Sequence, residues 1–185
     1  MSTRYHSVAI VIHWLMAVSV LVMIGTGLYM VNIDMPKAEQ FKLYQYHKAG
    51  GVVMLWLIVL RLVVRTSTKR PALPSSLSRK NQSLAQIGHG ALYSLLILIP
   101  LSGWFMVSAS PFGLPTFVFV DWIKWPHIGF ASKNNTVEAI SNTVHYILAY
   151  LLFFAVAGHV AATIYHYKIH RINLFQRMWL NTKGK

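Results

Sequence analysis

Residues 142–167 read NTVHYILAYLLFFAVAGHVAATIYHY, and the fold turns on this stretch. It contains no Asp, Glu, Lys or Arg. At 1.5 Å per residue it is long enough to cross a hydrocarbon core of about 30 Å. Yet it carries His145 and His159 well inside the run. Hydrocarbon penalises an imidazole, so a histidine at membrane depth marks a functional position. The two are 14 residues apart. At about 100° per residue they share a face within roughly 40°, separated by about 21 Å along the axis. One helix can therefore offer a ligand at each of two depths.

Working outward, three more apolar runs of spanning length precede it, at about residues 8–31, 46–64 and 84–107. The first contains His13 and is too long for a signal-peptide core, with no small-residue cleavage motif after it. The second opens at Tyr46-His47-Lys48 and ends near Arg61 and Arg65; the third contains Pro100, which predicts a kink near its far end. The links are predicted as loops: residues 32–42 around Pro36, residues 66–82, and a long connection over 108–141. Trp104, Trp122 and Trp125 mark the long connection as interfacial. Its apolar part, 112–123, is too short and too broken to span, so it lies on the surface or over the mouth of the bundle. The tail, 168–185, is basic and amphipathic, with Leu174, Phe175, Met178, Trp179 and Leu180 as an interfacial face. The expected architecture is all-α: one integral membrane four-helix bundle over 1–185.

Bulk composition agrees. The chain has 185 residues, 55% hydrophobic and only 11% charged, with a mean hydropathy of +0.48; soluble domains are about 25% charged. The net charge of +13 does not indicate nucleic acid, because the basic residues flank apolar helices rather than striping a soluble face. Sorted by side of a four-span bundle, twelve basic residues fall with the termini and the 66–82 loop, namely Arg4, Arg61, Arg65, Lys69, Arg70, Arg79, Lys80, Lys168, Arg171, Arg177, Lys183 and Lys185. Five basic residues and all four acids, Asp34, Glu39, Asp121 and Glu138, fall on the other side. The positive-inside rule then predicts cytoplasmic N- and C-termini.

The chain has no cysteine, which excludes thiolate-held clusters and covalently attached c-type haem. His47 and His145 match in depth at the outer end, and His13 and His159 at the inner, cytoplasmic end. The reading is two haem b groups, outer on His47/His145 and inner on His13/His159, with iron as the metal held by these four histidines. Zinc is disfavoured: it takes close-spaced N/S ligands, often with carboxylates, and the spans offer none. A single buried histidine can also be an interhelical hydrogen-bonding residue; two depth-matched pairs fit that reading poorly. His89 and His166 are candidate contacts to a haem propionate or a quinone carbonyl, or else plain interfacial polar residues, with His166 the alternative inner ligand. Arg61 and Arg65 are candidate propionate partners or ordinary positive-inside residues. Gly50, Gly51 and Gly158 admit either a macrocycle close to the backbone or small-residue helix packing. His6, His127 and His170 read as surface or loop residues. Lys124 and Lys133 can steer an anionic donor or serve as solvated loop charges.

With these residues in view, the chain resembles the bacterial di-haem cytochrome b561 family. The marks are Ile12-His13-Trp14, Tyr46-His47-Lys48-Ala49-Gly50, Leu60-Arg61-Leu62, Gly88-His89-Gly90-Ala91-Leu92-Tyr93, His145, and Gly158-His159-Val160-Ala161-Ala162 with His166. They cover all but the long outer connection and the tail. The resemblance implies a four-helix bundle in the bacterial inner membrane, two haem b groups on the same four histidines, and a quinone-linked oxidoreductase with ubiquinone as substrate. Some members take electrons from superoxide on the periplasmic side. Relatives with a similar haem core serve as membrane anchors for hydrogenase or formate dehydrogenase. The expected partners are thus the lipid bilayer, quinone, and either a small one-electron donor or a dehydrogenase subunit.

Overall fold

A computed structural model describes residues 4–180 apart from Arg70, Leu73, Ser75, Val120 and Asp121. Arg70, Asp121, Lys183 and Lys185 of the charge tally, and residues 181–185 of the tail, lie outside the described residues. Four helices dominate: α1 (Ser7–Asn32), α2 (Lys37–Ser67), α3 (Arg79–Ala109) and α4 (Asn135–Lys168). All four are long and apolar enough to cross a membrane. Their outward faces are as apolar as a core: Val18, Leu21 and Phe154 are each at least 60% exposed. A helix that is hydrophobic all round suits hydrocarbon on its outer side.

The helices outrun the apolar runs that announced them. Residues 37–42, expected as loop, form the first turns of α2 behind Pro36 at its N-cap. Residues 79–82, also expected as loop, open α3, where the Ser78 hydroxyl accepts from the Asn81 amide. Residues 135–141 open α4, where the Asn134 side chain accepts from the Val137 amide. Hydropathy reports the buried length of a helix; caps decide where it ends. His6, expected on the surface, caps α1 through its side chain. α3 continues as helix through Pro100.

α1 packs closely on α2 and α3 on α4, and the two pairs meet chiefly through α2 and α3. The described core is built from Ile12, Met16, Val20, Met54, Ile58 and Leu152. The long connection folds into an antiparallel hairpin, β1 (Thr116–Val118) with β2 (Ile123–Trp125). It packs on α2, with Thr116 and Val118 buried and Phe117 outward. Trp104 donates to the Pro126 carbonyl at 2.7 Å and stacks on Trp125.

Beyond Lys168 the described tail is irregular, apart from one 3-10 turn over Phe175–Met178; Phe175, Trp179 and Leu180 stay exposed, while Arg177 and Met178 turn under the bundle. The Arg177 guanidinium donates to the Pro71 and Ala72 carbonyls, the Arg177 carbonyl accepts from the Tyr5 amide, and Trp14 donates to the Met178 carbonyl. The N-terminus, the α2–α3 loop and the tail are thereby tied together at one end, and the hairpin lies towards the other.

Candidate functional site

The pairing of the helices leaves a seam between α1/α2 and α3/α4, and the polar side chains of the spans collect there in two groups. At the hairpin end, His47 of α2 faces His145 of α4, with ring centroids 6.3 Å apart and planes at 81°. Each imidazole is held from behind. The Thr26 hydroxyl gives its proton to the Val22 carbonyl at 2.8 Å, so its oxygen accepts from His47 Nδ1 at 3.2 Å. His145 Nδ1 lies 3.0 Å from the Ile99 carbonyl, which can only accept, and 3.1 Å from Ser102 Oγ. These partners assign the Nδ1–H tautomer to both rings and leave both Nε2 lone pairs free. This is the arrangement by which proteins orient metal-bound histidine.

Two glycines make room for it. A Cβ on Gly27 would stand 3.3 Å from His47 Cε1, and one on Gly103 would stand 3.2 Å from His145 Cε1. Each ring therefore lies against the backbone of a neighbouring helix. The sequence marks none of Gly27, Thr26, Ser102 and Gly103 as a site residue: Thr26 stands out only as a polar interruption of the first run and Gly103 only as the companion of Pro100. The one signal is their placement, a polar–small pair (Thr26-Gly27, Ser102-Gly103) near the hairpin end of α1 and of α3. Of the glycines that were singled out, Gly50 backs onto Met23, which makes it a helix-packing residue, while Gly51 and Gly158 face open space.

At the termini end the structure gathers His13, His89, His159, Arg61, Arg65 and Tyr93. The His89 and His159 rings are 5.6 Å apart. His13 lies within electrostatic reach of both, and the His89 ring bonds to the Ala85 carbonyl one turn back. Arg61 reaches His13 Nδ1 with Nη2 at 3.1 Å and donates from Nε to the Tyr93 hydroxyl at 3.1 Å. The Arg65 guanidinium sits 4.9 Å above the Tyr93 ring. A small cavity lies among Arg61, Arg65, His89 and Tyr93, closed from below by Tyr5 and by Met178 of the tail. His166 does not join this group; it packs on Tyr165 and on His170 in the last turn of α4 and just beyond. Its Nδ1 is buried without a hydrogen-bond partner among the described residues.

The donor set fits haem b at the hairpin end. Metal–imidazole bonds of about 2 Å on opposite sides of one ion, plus about 1 Å from nitrogen to ring centre on each side, put two axial rings roughly 6 Å apart. The His47–His145 spacing matches. Among the described residues no three His, Asp or Glu side chains converge on one point. The profile of the family described as prokaryotic cytochrome b561 matches residues 4–181.

The chain belongs to the prokaryotic cytochrome b561 family.

Like the family, then, this cytochrome is a membrane-spanning electron-transfer protein built for haem b. Among similar proteins, cytochrome b561 homolog 2 of Escherichia coli K12 is 27% identical over 175 residues, covering 95% of this chain and 90% of the relative. A Yersinia pestis protein named probable superoxide oxidase CybB is 25% identical over 190 residues, covering all of both chains. Cytochrome b561 homolog 1 of E. coli K12 is 19% identical over 175 residues.

Proposed function

We propose that this b561-family chain carries electrons across the bacterial inner membrane through two haem b groups and delivers them to ubiquinone. The outer haem rests on His47 and His145, the inner on His13 and His159, and both termini are cytoplasmic. The observation that carries the reading is the His47–His145 pair, with rings 6.3 Å apart and both Nδ1 atoms engaged by oxygen acceptors. Held between such histidine pairs, haem b would supply one-electron transfer rather than oxygen binding.

The chain's own residues supply the rest. Thr26, Ser102 and the Ile99 carbonyl fix the outer imidazoles. Arg61 and Arg65 put two positive charges beside the inner histidines, where they offer bidentate donors to propionates. His89 and Tyr93 line the cavity below, where polar hydrogens can meet a quinone carbonyl. The Yersinia relative's name supports superoxide, a small one-electron anion, as the donor on the outer side. This requires no partner subunit, which favours a self-contained oxidoreductase over a membrane anchor.

One preparation tests the reading. Pyridine haemochrome analysis of the full chain, expressed with ample haem, is expected to give two b-type haems per polypeptide; one or none sinks it. The same protein is expected to reduce a short-chain ubiquinone when superoxide is generated beside it. If it fails with every small donor yet co-purifies with a dehydrogenase subunit, it is an anchor.

A further inference from the structure

The termini end offers two guanidiniums to the propionates of a haem, and no such pair stands at the hairpin end. The basic residues on that side are all lysines: Lys37, Lys42, Lys48, Lys124 and Lys133. Four of them are exposed, and Lys48 alone is half-buried. It directly follows His47, so it lies about 100° round α2 from the candidate ligand. Its ammonium group donates to the Pro115 carbonyl at 3.5 Å, the long limit of a hydrogen bond. No carboxylate stands within electrostatic reach of it among the described residues. A half-buried cation without an anion is costly.

The hairpin fixes where this cation sits. Pro115 leads into β1, whose Thr116 and Val118 are buried where the strand packs on α2. The other foot of the hairpin is tied to α3: Trp104 donates to the Pro126 carbonyl, and the Ser108 hydroxyl accepts from the Ile128 amide. Trp104 directly follows Gly103, the glycine that gives the His145 ring its room. The hairpin therefore bridges α2 and α3 alongside the histidine pair, with Lys48 at its foot on α2. A flexible stem carries three donors on this ammonium group, and a carboxylate is a stronger partner for them than a neutral carbonyl.

We infer that Lys48 is the propionate partner of the outer haem. The inference rests on the two-haem reading above. One ammonium group here, against two guanidiniums at the termini end, leaves the outer centre the less positive of the two.

The full chain, loaded with haem b isotope-labelled at its propionate carboxylates, tests this by redox-difference infrared spectroscopy, by haem transfer to apomyoglobin and by potentiometry. Lys48→Met is expected to shift the carboxylate bands of the outer haem and to lower that haem's midpoint potential. It is also expected to release the outer haem on the order of tenfold faster. The inner haem is expected to be unchanged, and Lys48→Arg to restore all three properties. Wild-type bands, retention and potential in Lys48→Met overturn the proposal. So do equal changes at both haems, which would mark a loosened bundle. Faster hydrogen exchange in the hairpin with an unmoved outer potential overturns it too, and would leave Lys48 as a tie to Pro115 alone. Failure of the two-haem reading shows separately: His145→Ala would then lose no haem, and the proposal would fall with it.

Discussion

The two ends of the seam solve one chemical problem in opposite ways. At the hairpin end both imidazoles are backed by oxygen atoms that accept from Nδ1, and nothing charged touches them. At the termini end His13 Nδ1 meets a guanidinium, which can only donate. The outer pair is therefore held in the tautomer a metal ligand needs, while ligation through His13 Nε2 requires His13 to give up its contact with Arg61, which is then free for a propionate. The outer site is also tighter: a Cβ on Gly27 or Gly103 would crowd one of its rings from a neighbouring helix, whereas no described glycine of a neighbouring helix lies so close to His13, His89 or His159. A rigid, neutral pair suits fixed ligation. A roomier cluster with three imidazoles, two guanidiniums and a phenol suits a centre that also meets propionates or a second molecule.

The largest effect tests which histidines belong to which centre. His145→Ala is expected to remove one haem of two, with full retention at the termini end. His13→Ala is expected to remove the other, and His89→Ala neither. Haemochrome stoichiometry together with the low-spin electron paramagnetic resonance signals reads the three variants. Loss of a haem in His89→Ala, with none lost in His13→Ala, would move the inner ligation to the His89–His159 ring pair and redraw the comparison.

A smaller effect tests the difference in packing. Gly103→Val puts methyl groups where a Cβ alone already stands 3.2 Å from His145 Cε1. Overpacking at about 1–3 kcal/mol is expected to weaken retention of the outer haem on the order of tenfold to a hundredfold. The inner haem is expected to stay. Haem-transfer kinetics to apomyoglobin, followed at the two signals, measures this. An outer haem held as tightly as in wild type would mean the ring is not fixed by that contact.

Much of this was legible in the chain itself. Four apolar runs and their histidines announce four helices and two depths, because hydrocarbon forces every backbone group into helix and makes each polar exception conspicuous. The pairing of His47 with His145 follows from depth alone, and the structure brings the rings together. Helix ends were not legible from hydropathy. Residues 37–42, 79–82 and 135–141 are polar yet helical: side-chain caps at Ser78 and Asn134 start α3 and α4 in the polar zone, and Pro36 precedes α2 without a side-chain cap bond. The path of the tail was not legible either: its apolar–basic pattern marks an interfacial face, of which Phe175, Trp179 and Leu180 are exposed, whereas the tie of Arg177 to the Pro71 and Ala72 carbonyls comes only from the fold. The supports of the outer site escaped because Thr26, Gly27, Ser102 and Gly103 are small residues whose meaning lies only in what stands opposite them.

The smallest effect concerns charge. Arg61 touches His13 and Tyr93, and Arg65 lies over Tyr93, so the termini-end centre sits in a positive field that the hairpin-end histidine pair lacks. Reducing a haem adds an electron, and a nearby cation stabilises the reduced form. The inner haem is thus expected to have the higher potential, which favours electron flow from the hairpin end to the termini end. Arg61→Gln keeps a donor for Tyr93 and removes the charge. It is expected to lower the inner potential by about 50 mV, roughly 1 kcal/mol for one electron, and to leave the outer one in place. Spectroelectrochemical titration resolves the two waves. If both fall together, the arginine acts on the whole bundle; if neither moves, the field at the termini end is screened and does not set the two centres apart.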